Sequence, residues 1–236
     1  MNEDVASCDT LDRIVERYTE SLFVERDERF VSWRQDAQEL AEHEVLCGLL
    51  GRQVTLASQL AFSPLLWSGH GAPMLLRSMT DVYITFAWIA KEPAVRARQY
   101  VEYGLGQAKL QLAHRRAYLE RAGKKPDEDP FVQAWERWLN AQLFEFLTIV
   151  ELGAWSGLDT RRMAQEADCL DLYNFAYVPF SAATHSTWPH ISLYNLTECT
   201  NPLHGFHRVP EELAVQLDPD YLYRAAKYAH THQSVI

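Results

Sequence analysis

From Pro73 to Lys91 the chain is apolar on nearly every side of a helix, and Pro73 closes the turn SGHGAP (Ser68 to Pro73) at the point where a helix begins. A helix that is hydrophobic all round has to be surrounded, either by lipid or by other helices. Ala72 to Ala90 is long enough to span a bilayer, but Arg77 and Asp81 stand near its middle. Two ionised groups at that depth cost several kcal/mol, and neither flank is clearly basic. The expectation is a central helix of a bundle, with no membrane contact.

The rest of the chain repeats the helical period, and strict alternation between turn clusters is almost absent. The fold class is therefore all-α, a single domain over 1–236 of about seven or eight helices. A first helix is expected behind Asp9 or Thr10, carrying Leu11, Ile14, Val15, Tyr18 and Leu22 on one stripe. A second runs from about Trp33 to Phe62, where Ser63-Pro64 stops it, with Gly48 and Gly51 marking close packing or a bend. The third is the apolar run, and a fourth covers about Ala94 to Ala122, so that the central helices span about 33–122. GKKPDEDP (Gly123 to Pro130) reads as a surface linker, and the second helical half occupies 131–236. That half holds a helix from about Phe131 to Leu152 with Trp135, Trp138, Phe144 and Phe146. A short one follows, capped by Asp159, then one from Cys169 to Ser186 with Pro179 inside it, and a last helix starting at Asp218-Pro219. Trp188 to Pro210, rich in Pro, Asn and His, is expected to be irregular.

At 236 residues the chain can bury a sizeable core without disulfides. Cys8, Cys47, Cys169 and Cys199 lie far apart without a CxxC pair, and no signal-like stretch follows Met1, so a reducing, cytoplasmic location is expected. A net charge of −10 repels a phosphate backbone at long range. Nucleic-acid binding would need a local basic patch. No P-loop, dinucleotide fingerprint, HExxH or nucleophile elbow occurs.

Three groups of residues could carry chemistry. Arg77 and Asp81, four apart, share one face of the central helix and either pair with each other or form a polar notch in the core. In YVPFSAATHSTWPH (Tyr177 to His190), Ser181 and His185 are one helical turn apart, close enough for hydroxyl and imidazole to bond. Asp81 from the other helix could complete a triad, and a capping or buried histidine is the alternative. Four of the nine histidines fall between His185 and His207, and Cys199, His204 and His207 follow a C-x4-H-x2-H spacing. With no second Cys nearby and no match to a common zinc module, the expectation there is a hydrogen-bonded loop without metal.

These same residues carry a resemblance. LLRSMTDVYITFAWI (Leu75 to Ile89), YVPFSAATHS (Tyr177 to Ser186) and CTNPLHGFHRVP (Cys199 to Pro210) resemble a mostly bacterial family, the domain of unknown function numbered five-six-seven-seven, over roughly Leu40 to Pro210. That family's pattern has an Arg and an acidic residue one turn on in a central helix, and a Tyr, a Ser and a His in a later one. The matching positions are Arg77, Asp81, Tyr177, Ser181 and His185, with Asp81 standing where Glu is more usual. The resemblance implies a helical fold and this set of residues, and no activity. More loosely, the chain is similar to HEPN-type helical bundles, many of them ribonucleases of defence or toxin systems, which pair an Arg and a His at a helix start. Phe180 or Ser181 stands where that Arg would be, so Arg77 would have to supply the charge from another helix.

Two functional expectations follow. In the first, the notch cleaves RNA without a metal or cofactor. The ribose 2′-hydroxyl attacks the phosphate, His185 moves the proton, Arg77 stabilises the charged intermediate, and Asp81 and Ser181 orient them, with Tyr177, His190, His204 and His207 as binding positions. In the second, the chain is a non-catalytic binding or assembly module, joined to a second copy or another protein, and its polar notch is structural. A phosphate-cleaving site must be open to solvent, whereas a structural notch should be closed.

Overall fold

The computed structural model describes residues 2–32, 40–142, 155–210 and 215–233. In chain order its helices are α1 (Asn2–Ser32), α2 (Leu40–Ala61), α3 (Ala72–Lys91), α4 (Pro93–Arg121), α5 (Pro130–Asn140), α6 (Thr160–Glu166), α7 (Leu170–Leu172), α8 (Val178–Thr184), α9 (Trp188–Tyr194) and α10 (Asp220–Gln233). A π-helical turn, Tyr173–Tyr177, joins α7 to α8. The described residues hold two short strands, β1 (Leu196–Glu198) and β2 (Arg208–Pro210), paired antiparallel with Glu198 opposite Arg208. The fold is mainly all-α. None of the helices among the described residues is long and apolar enough to cross a membrane.

The apolar run is the element around which the others gather, since α3 packs against α2, α4, α6, α8, α10 and the π turn. Its burial falls into two clusters. Leu76 and Met79 join Val15 and Leu22 of α1, Val54 and Leu60 of α2, Trp67, Phe180, and Leu222 and Ala225 of α10. One to two turns on, Tyr83, Ile84, Phe86 and Ile89 join Val45 and Leu49 of α2 with Met163 and Ala164 of α6. Each fully buried aliphatic or aromatic side chain contributes about 1.5–3 kcal/mol relative to exposure. Trp67 fastens the first cluster to the backbone: its indole N–H donates to Leu60 O (2.7 Å), and its own carbonyl accepts from Asp218 N–H (2.7 Å) just before α10. In the second, the Arg96 guanidinium lies 3.9 Å from the Trp88 ring centroid and donates to Trp88 O, while Trp88 Nε1 donates to Glu166 at 2.7 Å. That joins α3, α4 and α6.

Several boundaries differ from expectation. α1 begins at Asn2 and passes through Asp9 and Thr10 without a cap there. The expected start of the second helix at Trp33, and Phe144, Phe146 and Leu152 of the fifth, lie outside the described residues. Gly48 and Gly51 mark neither close packing nor a bend: α2 continues through both, and a Cβ at either would meet nothing within 4 Å. Pro179 stands in the first turn of α8, so the helix restarts there, an outcome its missing N–H favours; the π turn ahead of it closes with Val178 N–H on Tyr173 O. Trp188 to Pro210 is largely regular, being α9 and the hairpin of β1 and β2. Asp159 caps α6 as expected, accepting from Arg162 N–H at 2.8 Å.

The linker 123–130 is a tight turn. Gly123 takes φ +68°, and Asp129 caps α5 by accepting from Val132 N–H (3.1 Å) while Arg115 of α4 donates to it at 2.7 Å. That hydrogen bond, above all, holds the Asp129 carboxyl below its ordinary value of 3.8. A depressed folded-state pKa stabilises above the unfolded value and is lost as the pH falls through the folded one. Asp129→Ala is therefore expected to lower the melting temperature at pH 7. In melts followed by circular dichroism, the gap to the parent should close as the pH is lowered past 3.8.

Candidate functional site

Four of the five residues singled out on α3 and α8 meet at one place, the seam between the two apolar clusters. Arg77 projects from α3 with its side chain only 11% exposed. Its guanidinium carbon lies 3.2 Å from the centroid of the Tyr177 ring, a stacked cation–π contact. Arg77 Nε donates to Ser181 Oγ at 2.8 Å, and Nη1 pairs with the Asp81 carboxylate one turn along α3. Ser181 Oγ in turn donates to Tyr177 O (2.7 Å), and the Tyr177 hydroxyl reaches Thr160 Oγ1 of α6 at 3.3 Å. The π turn places Tyr177 against the face of the guanidinium and Ser181 at its edge. A planar cation with a fixed fork of donors fits such a setting, and lysine would not.

His185 is not part of this arrangement. It ends α8 with its backbone N–H on Ser181 O (3.0 Å), and its side chain is exposed. Among the described residues no hydrogen bond or ion pair joins its imidazole to Ser181, Arg77 or Asp81. The Ser181 hydroxyl is already committed to Tyr177 O and Arg77. The notch is also closed on one side only, because the Asp81 side chain is 48% exposed.

His190 lies elsewhere. On α9 it packs with Tyr194 (ring centroids 4.8 Å apart) and meets His70 of the turn before α3 edge-on at 5.5 Å. Burial first, then the neighbouring His70, lowers its pKa below the ordinary 6.5. Tyr194 also shares a hydrogen bond with Tyr221 of α10, whose hydroxyl is pushed up to about 12 chiefly by burial. Gly69 lets the Tyr194 ring come close, since a Cβ there would stand 2.2 Å from it and force it to shift. Nothing in the spacing of the histidines pointed to His70, and only the flanking glycines of SGHGAP signal a crowded turn.

His204 and His207 come together with Cys199 at the closed end of the hairpin, where one donor atom from each lies within 4.8 Å of the others. The C-x4-H-x2-H spacing had marked these three as a set, and it matches no common zinc module.

A groove of about 840 Å³ lies between α2 and α4, floored by Val82 of α3 and bounded by Trp138 and Gln142 at the end of α5. Val45, Leu49, Tyr100, Val101 and Leu105 make its walls apolar, Glu44 and Arg52 of α2 stand at its rim, and Gly48 and Gly104 lie one on each side. The two mid-helix glycines were the available signal in the sequence.

Residues 43–202 match the family of unknown function DUF5677, and the chain belongs to that family. No curated protein and no solved structure matches it. The matched range contains Arg77, Asp81, Tyr177, Ser181 and His185, and it ends before His204 and His207.

The clamp geometry separates the partners of Arg77 by energy. Arg77→Ala removes a desolvated cation–π contact and a charged hydrogen bond, and is expected to cost about 2–4 kcal/mol. Asp81→Asn weakens a half-exposed pair and should cost less than about 1 kcal/mol. Urea unfolding of the two variants checks the order. Equal losses would mean that the stacking on Tyr177 contributes nothing.

Proposed function

We propose that this member of the DUF5677 family is a non-catalytic helical binding module, with the Arg77 clamp as a structural joint and the groove between α2 and α4 as its recognition site. The observation that carries the reading is the pair of glycines. Gly in a helix interior costs about 1 kcal/mol relative to Ala, and such a residue ordinarily admits a close neighbour. A Cβ at Gly48 or Gly104 would meet nothing within 4 Å. Their missing side chains leave room in the groove and serve no helix contact.

The lining names the ligand class. A cavity of this size is within the range of small-molecule sites, which combine apolar walls with a few polar groups that fix orientation. Here the walls are aliphatic and aromatic, and Arg52 is the cation at the rim. The ligand is an apolar small molecule bearing an anionic group. Support from the notch is indirect: a guanidinium stacked on Tyr177, bonded to Ser181 and paired with Asp81 has its charge already matched.

The test uses 1-anilinonaphthalene-8-sulfonate, fused rings carrying one anion, as the probe. One saturable molecule per chain is expected by fluorescence titration. Gly104→Leu should abolish binding without lowering the melting temperature, because the new side chain fills the groove and leucine suits a helix better. Arg52→Glu should weaken it. Binding that is unchanged in Gly104→Leu overturns the reading.

One observation favours the other function: Asp81 and His185 both face water, as a phosphate-cleaving site requires. If the chain cleaves RNA, single-stranded RNA is cut in the presence of a chelator, a DNA strand of the same sequence is inert for want of the 2′-hydroxyl, and His185→Ala abolishes cutting. Absence of cleavage by the parent across a range of RNAs removes this function.

A further inference from the structure

The loop between β1 and β2 is ordered without a core. Every residue from Thr200 to Arg208 is exposed, including the large apolar Leu203 and Phe206, so burial does little to offset the entropy of holding it in one conformation. Phe206 also sits at φ +63°, a left-handed conformation that a bulky side chain adopts only under strain. What the loop does achieve is the convergence of three donor side chains. Cys199 N–H donates to His207 O (2.9 Å), continuing the β1–β2 ladder by one rung and setting Cys199 across from His207. His204 N–H then bonds Asn201 O (3.0 Å) and His207 N–H bonds His204 O (3.1 Å), two successive turns that fold His204 back over the pair.

We infer that Cys199, His204 and His207 form a zinc site that locks this hairpin. The Cys199 Sγ to His204 Nδ1 separation is 3.7 Å. Two ligands of a tetrahedral zinc, with Zn–S of about 2.3 Å and Zn–N of about 2.0–2.1 Å, stand about 3.6 Å apart. One thiolate and two imidazoles make a borderline-soft donor set that suits zinc over magnesium or calcium. Three protein ligands leave a fourth position for water, open to solvent on this exposed edge. The sequence spacing argued against a metal because no fourth ligand is local, but a three-ligand site does not need one.

The surroundings of His204 set the affinity. Asn201 Oδ1 accepts from Leu203 N–H (3.0 Å), which turns its amide Nδ2 toward His204 Nε2 (3.3 Å). The His204 ring thus meets the Asn201 amide nitrogen at Nε2 and the Cys199 sulfur at Nδ1, and its tautomer decides which ring nitrogen carries the proton. Zinc on Nδ1 requires that proton on Nε2, where the Asn201 amide offers it no acceptor until it turns over. An aspartate at position 201 would accept from both Leu203 N–H and His204 Nε2–H, the carboxylate–histidine–zinc arrangement that steadies such ligands.

The experiment titrates the untagged full-length protein, under a non-thiol reductant, with cobalt(II) as a spectroscopic probe and then with zinc in competition. One cobalt per chain is expected, with a thiolate-to-cobalt charge-transfer band that zinc removes. Cys199→Ser should lose that band, and His204→Ala and His207→Ala should each weaken zinc binding at least tenfold. Asn201→Asp should tighten it about tenfold, the scale at which an outer partner of a ligating histidine acts. His190→Ala, in the other histidine cluster, should change nothing. Absence of the band in the parent, or one bound metal per chain that survives Cys199→Ser, overturns the site. Tightening absent in Asn201→Asp overturns ligation through His204 Nδ1.

Discussion

A guanidinium taken out of water between two apolar clusters needs partners, and Arg77 takes them from two helices and the turn joining one of them to the chain before it, although its buried Nη1 makes an ion pair and no hydrogen bond. Tyr177 covers its face, Ser181 holds Nε, and Asp81 neutralises it from one turn along α3. This requirement fixes the rotation of α8 about its own axis relative to α3, because the Tyr177 ring and the Ser181 hydroxyl have to face the same cation. The π turn ends where α8 begins, and Pro179, in the first turn of α8, gives up an N–H that has no helical partner there. The Tyr177 contact with Thr160 carries the same constraint to α6.

Much of the architecture was legible because it rests on long periodic segments. α3 could be delimited to within a residue, since apolarity on all sides, a preceding Pro and a following Glu-Pro are local signals that agree. The short elements were not legible for the same reason. α9 has seven residues and each strand three, fewer than the window over which either period accumulates, so Trp188 to Pro210 read as irregular. The family membership inferred from three short stretches is shown, over 43–202 where Leu40 to Pro210 was expected.

The site residues were legible as a set, and their roles were not. One-turn spacing brings Arg77 to Asp81, and it also seemed to bring Ser181 to His185. In the second case the helix ends at Thr184, and Ser181 Oγ bonds backward to Tyr177 O and across to Arg77. Spacing states which side chains share a face and leaves open what the neighbouring helix offers them. Cys199, His204 and His207 were named together from their spacing, and the hairpin that brings their donors within reach was the part the short strands hid.

The two clusters along α3 share few residues: Val82 and Leu172 touch both, and otherwise each has its own partners. A single helix therefore belongs to two cooperative units of opening, one involving α1 and α10 and the other α6. Amides in the first half of α3 and those in its last turns will exchange with solvent through different opening events. The groove between α2 and α4 borders mainly the second unit, through Val45 and Leu49, and reaches the first through Val82. An occupant of the groove would slow exchange in the last turns of α3 and in α6 more than on the α1 side, so one end of the central helix can be stabilised largely apart from the other.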